Sequence, residues 1–264
     1  MNAIFPDNIF TRLLFNSLNK DEKKNITFMP SSLLSNSITQ DSNSIALIPT
    51  LEIITHPELY VSASVGISFD ASLCNSFIYY EPGKTDIEKI NLAGDISSMD
   101  AILLKILFKE LYNSNPEIKL QTSLPEKLTE NYLISGDENF NGGRFVQGIS
   151  FSEEMVELVS APYVNFILAS RDKKLIEDYS AILLKGIELI DPDSEPQLNF
   201  DINSKKFIKE NMICVVYNFG EQDIVGIKEL VQLPYFYGFT KELVELKLVW
   251  IEPVTWMSYA ILIH

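Results

Sequence analysis

Three apolar runs in this chain end in small polar residues, as strands do where they hand over to turns at one edge of a sheet. Ile26–Met29 leads into Pro30-Ser31-Ser32. Ile90–Ala93 leads into Gly94-Asp95-Ile96-Ser97-Ser98-Met99-Asp100-Ala101, and Tyr132–Ser135 into Gly136-Asp137. In the second case the turn opens an apolar helix, predicted over Ser98–Tyr112. The unpaired N–H groups of a first helical turn carry partial positive charge, which suits a carboxylate or phosphate. Any one such turn is ordinary cap and turn chemistry. Their recurrence points to a site between two lobes, because ligands of open α/β sheets gather at the carboxyl ends of strands.

The rest of the chain continues the alternation. Residues 7–18 carry apolar side chains three and four apart and predict a short helix with Asp7 as its N-cap. Pro30 starts a second helix. Ile45–Ile48 is a fully apolar strand ending at Pro49, of the kind found in buried parallel sheets. Strands are predicted at Val61–Ile67, Ser76–Tyr80 and Val164–Ala169. Helices are predicted at 151–159, capped by Ser152, and at 173–189, 203–211 and 221–239. This order gives an α/β fold with largely parallel sheets. A length of 264 residues is enough for two lobes, each with its own core.

Acidic residues outnumber basic ones 36 to 21, and the only arginines are Arg12, Arg144 and Arg171. The chain lacks the Lys/Arg clusters that nucleic acid or an anionic membrane surface requires, so neither partner is expected. The acidity reads as solubility. Cys74 and Cys214 lack C-x-x-C spacing, and one disulfide between them is open. With His56 and His264 as the only histidines, no metal site and no cofactor are expected. Thr55-His56-Pro57-Glu58 reads as a surface turn rather than as the setting of a catalytic base. Met1–Asp7 lacks the charged-then-apolar order of a signal peptide, and the apolar stretch 243–263 is broken by Glu245, Lys247, Glu252 and Pro253. A cytoplasmic location is therefore expected. Trp250, Trp256 and Tyr259 read as core packing, with a homodimer contact as the other reading.

Several segments, in order, resemble the menaquinone-biosynthesis proteins of the futalosine pathway, above all chorismate dehydratase. Phe28-Met29-Pro30-Ser31-Ser32-Leu33 resembles that family's strand, Pro-Ser, helix element. Ser44–Glu52 is similar to its D-[VA]-A-L-[IV]-P-[SV]-x-E segment, and Leu92–Ala101 to its L-D-x-[ST]-S-x-T-S turn. Leu133–Phe140 resembles L-[IL]-I-G-D-x-A-L, and Glu153–Val164 resembles G-E-x-W-x-x-L-T-G-L-P-F-V. Gly226–Leu230 and Gly238-Phe239 sit where the family has G-L-x-x-F and G-L.

The resemblance implies a two-lobed fold of the type II periplasmic-binding-protein kind. Each lobe would be a largely parallel sheet flanked by helices, with a small-molecule cleft between the lobes. Lobe 1 would comprise residues 1–73 and 168–264, and lobe 2 residues 74–167. It implies elimination of water from chorismate to give 3-enolpyruvyl-benzoate, chemistry that asks mainly for positioning and one acid or base. Ser97 and Ser98 would then anchor a carboxylate, and Asn75 and Ser76 would contact the ligand across the cleft. Ser31 would join the binding set, and Asp7 or Asn8 would be the acid/base or orienting group. Asp137 itself reads as a cap of the segment that follows it, with a cleft residue as the other reading. The chain departs from the pattern in three places. Asp100-Ala101 replaces the Thr-Ser of the turn, the first strand and its turn are poorly kept, and Ala71–Ser76 lacks a glycine. An Asp at position 100 would repel an anionic ligand unless it faces away. These departures favour two alternatives: a non-catalytic small-ligand-binding protein on the same scaffold, or a degenerate paralogue.

Overall fold

The computed structural model describes residues 2–41, 43–84, 87–191 and 200–251. Its elements in chain order are β1 (Asn2–Pro6), α1 (Ile9–Ser17), α2 (Lys20–Lys23), β2 (Ile26–Met29), α3 (Leu34–Gln40), β3 (Ser44–Pro49), β4 (Tyr60–Phe69) and β5 (Ser76–Tyr79). There follow β6 (Lys89–Gly94), α4 (Ser98–Leu111), β7 (Glu117–Leu120), β8 (Tyr132–Ser135), β9 (Ile149–Ser150), α5 (Phe151–Val159) and β10 (Tyr163–Ser170). The chain then runs through α6 (Lys173–Ile187), α7 (Ile202–Asn211), β11 (Val215–Asn218), α8 (Glu221–Phe236) and β12 (Lys247–Val249).

The strands form two sheets. The first runs β11-β4-β10-β3-β1-β2, with β12 also on β4, and the second runs β7-β6-β8-β5-β9. Helices cover the sheets, α3 packing on β3, α6 on β4 and α8 on β10. This is a two-lobed α/β architecture. The central strands β3 and β10 are buried along their whole length, which is why Ile45–Ile48 reads as an unbroken apolar run and Val164–Ala169 as one interrupted only by Asn165. The strands that carry the polar turns pair in parallel: β1 with β2 and β3, and β6 with β7 and β8. The antiparallel pairs gather where the chain passes from one sheet to the other. β4 leaves the first sheet for β5, and the chain returns through β9 and α5 to β10.

The helix starts sit where apolar spacing ends, with small shifts. The N-cap of α1 is Asn8 and not Asp7, its Oδ1 accepting from Thr11 N at 3.1 Å. The cap of α5 is Ser150 and not Ser152, whose hydroxyl bonds the carbonyl of Ala71 instead. β7 and β12 are short strands that carry charged residues, and β11, apolar over Val215-Val216-Tyr217, is a further strand outside the predicted ones. β7 is an edge strand with mostly exposed side chains, paired only to β6. Cys74 and Cys214 are both free thiols, so the disulfide does not form. Trp250 is 59% exposed rather than in the core. Trp256, Tyr259 and His264 lie outside the described residues. Among the described residues no helix is long and apolar enough to cross a membrane.

Candidate functional site

The carboxyl ends of β1, β2 and β3 in one lobe face those of β6 and β8 in the other, and hydrogen bonds join them directly. Asp95, the first residue after β6, takes Ser31 N on Oδ1 at 2.8 Å and Ser31 Oγ on Oδ2 at 2.6 Å. Asp137, two residues after β8, takes Ile9 N at 2.8 Å, the first amide of α1. Glu52, beyond β3, takes Ser98 Oγ at 2.6 Å and Ser35 Oγ at 3.0 Å. Helix starts present free N–H groups and a positive dipole end. In two of these contacts a carboxylate from one lobe fills the donors of a helical start in the other.

Asp95 and Asp137 are aimed by the same device. Each follows a glycine with positive φ, +86° at Gly94 and +93° at Gly136. The two turns lie side by side, since Gly94 pairs with Ser135 and Asp95 N donates to Ser135 O at 2.8 Å. A side chain on Gly94 would stand 2.1 Å from Ser135 O. Asn139 fixes the second turn, its Nδ2 donating to the carbonyls of Asn75, Ile134 and Gly136.

Behind this pair lies a buried polar chain. Ser97 caps α4, and Asp100 closes a capping box, its Oδ2 2.8 Å from Ser97 N and 2.6 Å from Ser97 Oγ. Ser76 Oγ lies 3.2 Å from Asp100 Oδ1 and 2.9 Å from Ser135 Oγ, and Asn75 Nδ2 donates to Ser135 Oγ at 3.2 Å. Asp100 thus faces inward, where it uses up the amide of Ser97. The Oδ1 atoms of Asn75 and Asn165 and the Nδ2 of Asn8 are buried with no partner among the described residues. Asn165 occupies the bulge where β10 shifts register against β4, and its Nδ2 meets Tyr163 OH at 3.1 Å.

Each predicted site residue falls near these strand ends. Ser31, Ser97, Asn75 and Ser76 are buried, while Ser98 is exposed and held by Glu52. Asn8 caps α1 beside the Asp137 contact. Asp7 is half-exposed and ion-paired with Arg12, which also lies over the Phe28 ring. Asp137 caps α1 in the opposite lobe rather than the segment that follows it. Glu52, Asp95, Asn139 and Asn165 were not in the predicted set. The repeated Gly-Asp after two strands, at 94–95 and 136–137, is the sequence signal that marks two of the site's carboxylates. His56 sits in its turn with Nδ1 3.7 Å from Glu58. Among the described residues no group of three or more His, Cys, Asp or Glu is placed to hold a metal.

Burial raises the carboxyls of Asp95 and Asp100 above the usual range, against the hydrogen bonds from Ser31 and Ser97. Burial pushes Asp137 up to about 6, opposed by the Ile9 amide and reinforced by the charge of Asp7. A carboxyl raised in the folded state holds its proton longer folded than unfolded. Asp137 therefore costs stability above about pH 6, and that cost is relieved as pH falls toward 3.8. Asp137→Asn keeps an acceptor for Ile9 N and removes the charge. It is expected to raise stability by about 1–2 kcal/mol near neutral pH, with no gain near pH 4. Chemical denaturation of both proteins across that range checks this, and a gain that does not change with pH contradicts it.

No protein-family model matches the chain, and no curated protein matches its sequence. Solved structures do. Protein AF1704 from Archaeoglobus fulgidus is 11% identical with a TM-score of 0.56, covering 90% of this chain and 98% of its own. The ligand-binding component of an ABC-type import system from Staphylococcus aureus, with zinc bound, is 9% identical with a TM-score of 0.57 and covers 93% and 96%. The alkanesulfonate-binding protein SsuA from Xanthomonas axonopodis pv. citri, bound to MOPS, is 12% identical with a TM-score of 0.54 and covers 95% and 98%. At these identities the likeness speaks to fold. The chain is built on a two-lobed α/β scaffold of the periplasmic-binding-protein kind, with the strand-end contacts described above lying between its lobes.

Proposed function

We propose that this chain is a binding protein that holds a small polar molecule between its lobes. The observation that carries the reading is the set of cross-lobe contacts Asp95–Ser31, Asp137–Ile9 and Glu52–Ser98. They place hydrogen-bonding groups from five strand ends around one cleft, and a ligand entering it exchanges its own contacts for theirs. Alkanesulfonate-binding SsuA shares the scaffold.

The second reading is dehydration of chorismate in the cytoplasm. Ser97 and Ser98 at the start of α4, which the resemblance makes carboxylate anchors, border the same cleft. Against it stands Asp100, which takes the Ser97 amide and hydroxyl that a ligand carboxylate would need. Chorismate brings two carboxylates to strand ends that already carry Asp7, Glu52, Asp95 and Asp137, with Arg12 held by Asp7.

Two measurements separate the readings. The purified chain incubated with chorismate, beside an active dehydratase as control, is expected to release no 3-enolpyruvyl-benzoate. A thermal-shift screen of small polar molecules is expected to find one that raises Tm by roughly 5 °C or more at saturating concentration. Turnover of chorismate replaces the binding reading with the enzymatic one.

A further inference from the structure

The strand ends between the lobes carry more hydrogen-bond acceptors than donors, although Asn8 Nδ2 is an unpartnered donor beside them among the described residues. Asp95 and Asp137 lean on the same Ser135-Gly136 peptide. Asp95 N bonds Ser135 O, the Asp95 Cβ would lie 3.2 Å from a Cβ on Gly136, and Asp137 is the next residue. Asn75 packs on that peptide from the other side, with Gly136 N donating to its carbonyl and its Nδ2 on Ser135 Oγ. Its Oδ1 is left without a donor although the residue is 2% exposed. Asn165 Oδ1, also buried, is unpartnered as well. Unsatisfied buried acceptors are rare in folded proteins and call for a donor. Asp7 adds a further carboxylate near Asp95 and Asp137, and the cation acting on this group is Arg12, already ion-paired to Asp7.

Building on the reading of the cleft as a ligand site, we propose that its ligand carries a protonated amine, held by the carboxylates of Asp95 and Asp137 and the amide oxygen of Asn75. An ammonium group brings three donors and no acceptor, which matches this lining. A carboxylate, sulfonate or phosphate would bring acceptors to acceptors. On insertion, the amine restores to Asp137 the opposite charge that burial and Asp7 deny it.

The test uses the simplest form of the ligand chemistry. Methylammonium and ethanolamine chlorides are compared by thermal shift and calorimetry with potassium chloride, calcium chloride, glucose, sodium acetate and MOPS at equal ionic strength. The ammonium salts are expected to stabilise the chain beyond potassium chloride. Asp137→Asn and Asp95→Asn, each checked for native circular dichroism, are expected to weaken that binding about tenfold or more. Binding is expected to weaken as pH falls through about 6, where the proton competes for Asp137. Stabilisation by glucose, acetate or MOPS with the amines inert overturns the amine inference and leaves the cleft a ligand site. An equal response to calcium, or ammonium binding unchanged in both variants, also overturns it. No response to any class of probe overturns both readings.

Discussion

Gly94→Ala is expected to abolish folding or to leave only aggregated protein. The new methyl would stand 2.1 Å from the carbonyl oxygen of Ser135, and that atom is backbone, fixed by pairing of β8 with β6 and by the Asp95 amide. A φ of +86° adds strain of about 1–3 kcal/mol for any L side chain. The two strands cannot separate to make room without losing the bond from Asp95 N to Ser135 O. Expression yield and circular dichroism of the variant check this. Gly83→Ala provides the comparison: its φ is +78° but nothing lies within 4 Å of the added Cβ, so only the conformational strain applies. Native-like stability of Gly94→Ala would mean that the Gly-Asp turn can be rebuilt, and that the aim of Asp95 does not depend on it.

The second large effect is at Phe140, which follows the Asp137 turn. Its ring is fully buried and packs edge-on or tilted against Phe10 of α1, Phe77 of β5, Phe145 and Phe200, with centroids 5.7–6.4 Å away. Its carbonyl accepts from Ser204 Oγ of α7 at 2.6 Å. Phe140→Ala is expected to cost about 3–5 kcal/mol, a large share of the stability of a chain this size. Because Phe10 and Phe140 belong to opposite lobes, the loss also loosens the Ile9–Asp137 contact. Hydrogen exchange at the Ile9 amide is therefore expected to speed up more than exchange in β3, at the centre of the first sheet. Denaturant melts give the total, and Phe140→Leu, which keeps most of the volume, is expected to recover more than half of it.

The amino-acid sequence made the strands that feed the site readable, because β3, β6 and β8 are largely buried runs, and β2 a half-buried one, that lead into turns. It hid β7, whose Glu117-Ile118-Lys119-Leu120 alternation belongs to a solvated edge. It put the α1 cap one residue early, since Asp7 and Asn8 are both capping types and only backbone geometry chooses between them. The serines and asparagines of the site were legible as strand-end polar residues. The carboxylates were not, for a specific reason. Asp95 meets Ser31 across 64 positions, and Asp137 meets Ile9 across 128, so beyond the repeated Gly-Asp pair nothing local separates them from ordinary turn aspartates. The acceptor surplus became visible only once Asn75 and Asn165 were found buried with no donor.

The chain crosses between the sheets before β5 and before β10, and the strand-end hydrogen bonds and the Phe10–Phe140 contact join the lobes beside those crossings. α7 adds a further tie. It runs toward the first sheet yet lays Phe207 flat on Phe145 of the other lobe, 4.2 Å between ring centres, with Ser204 on Phe140 beside it. α7 is thus seated on the second lobe although the elements before and after it, α6 and β11, belong to the first, so the chain passes between the lobes here as well.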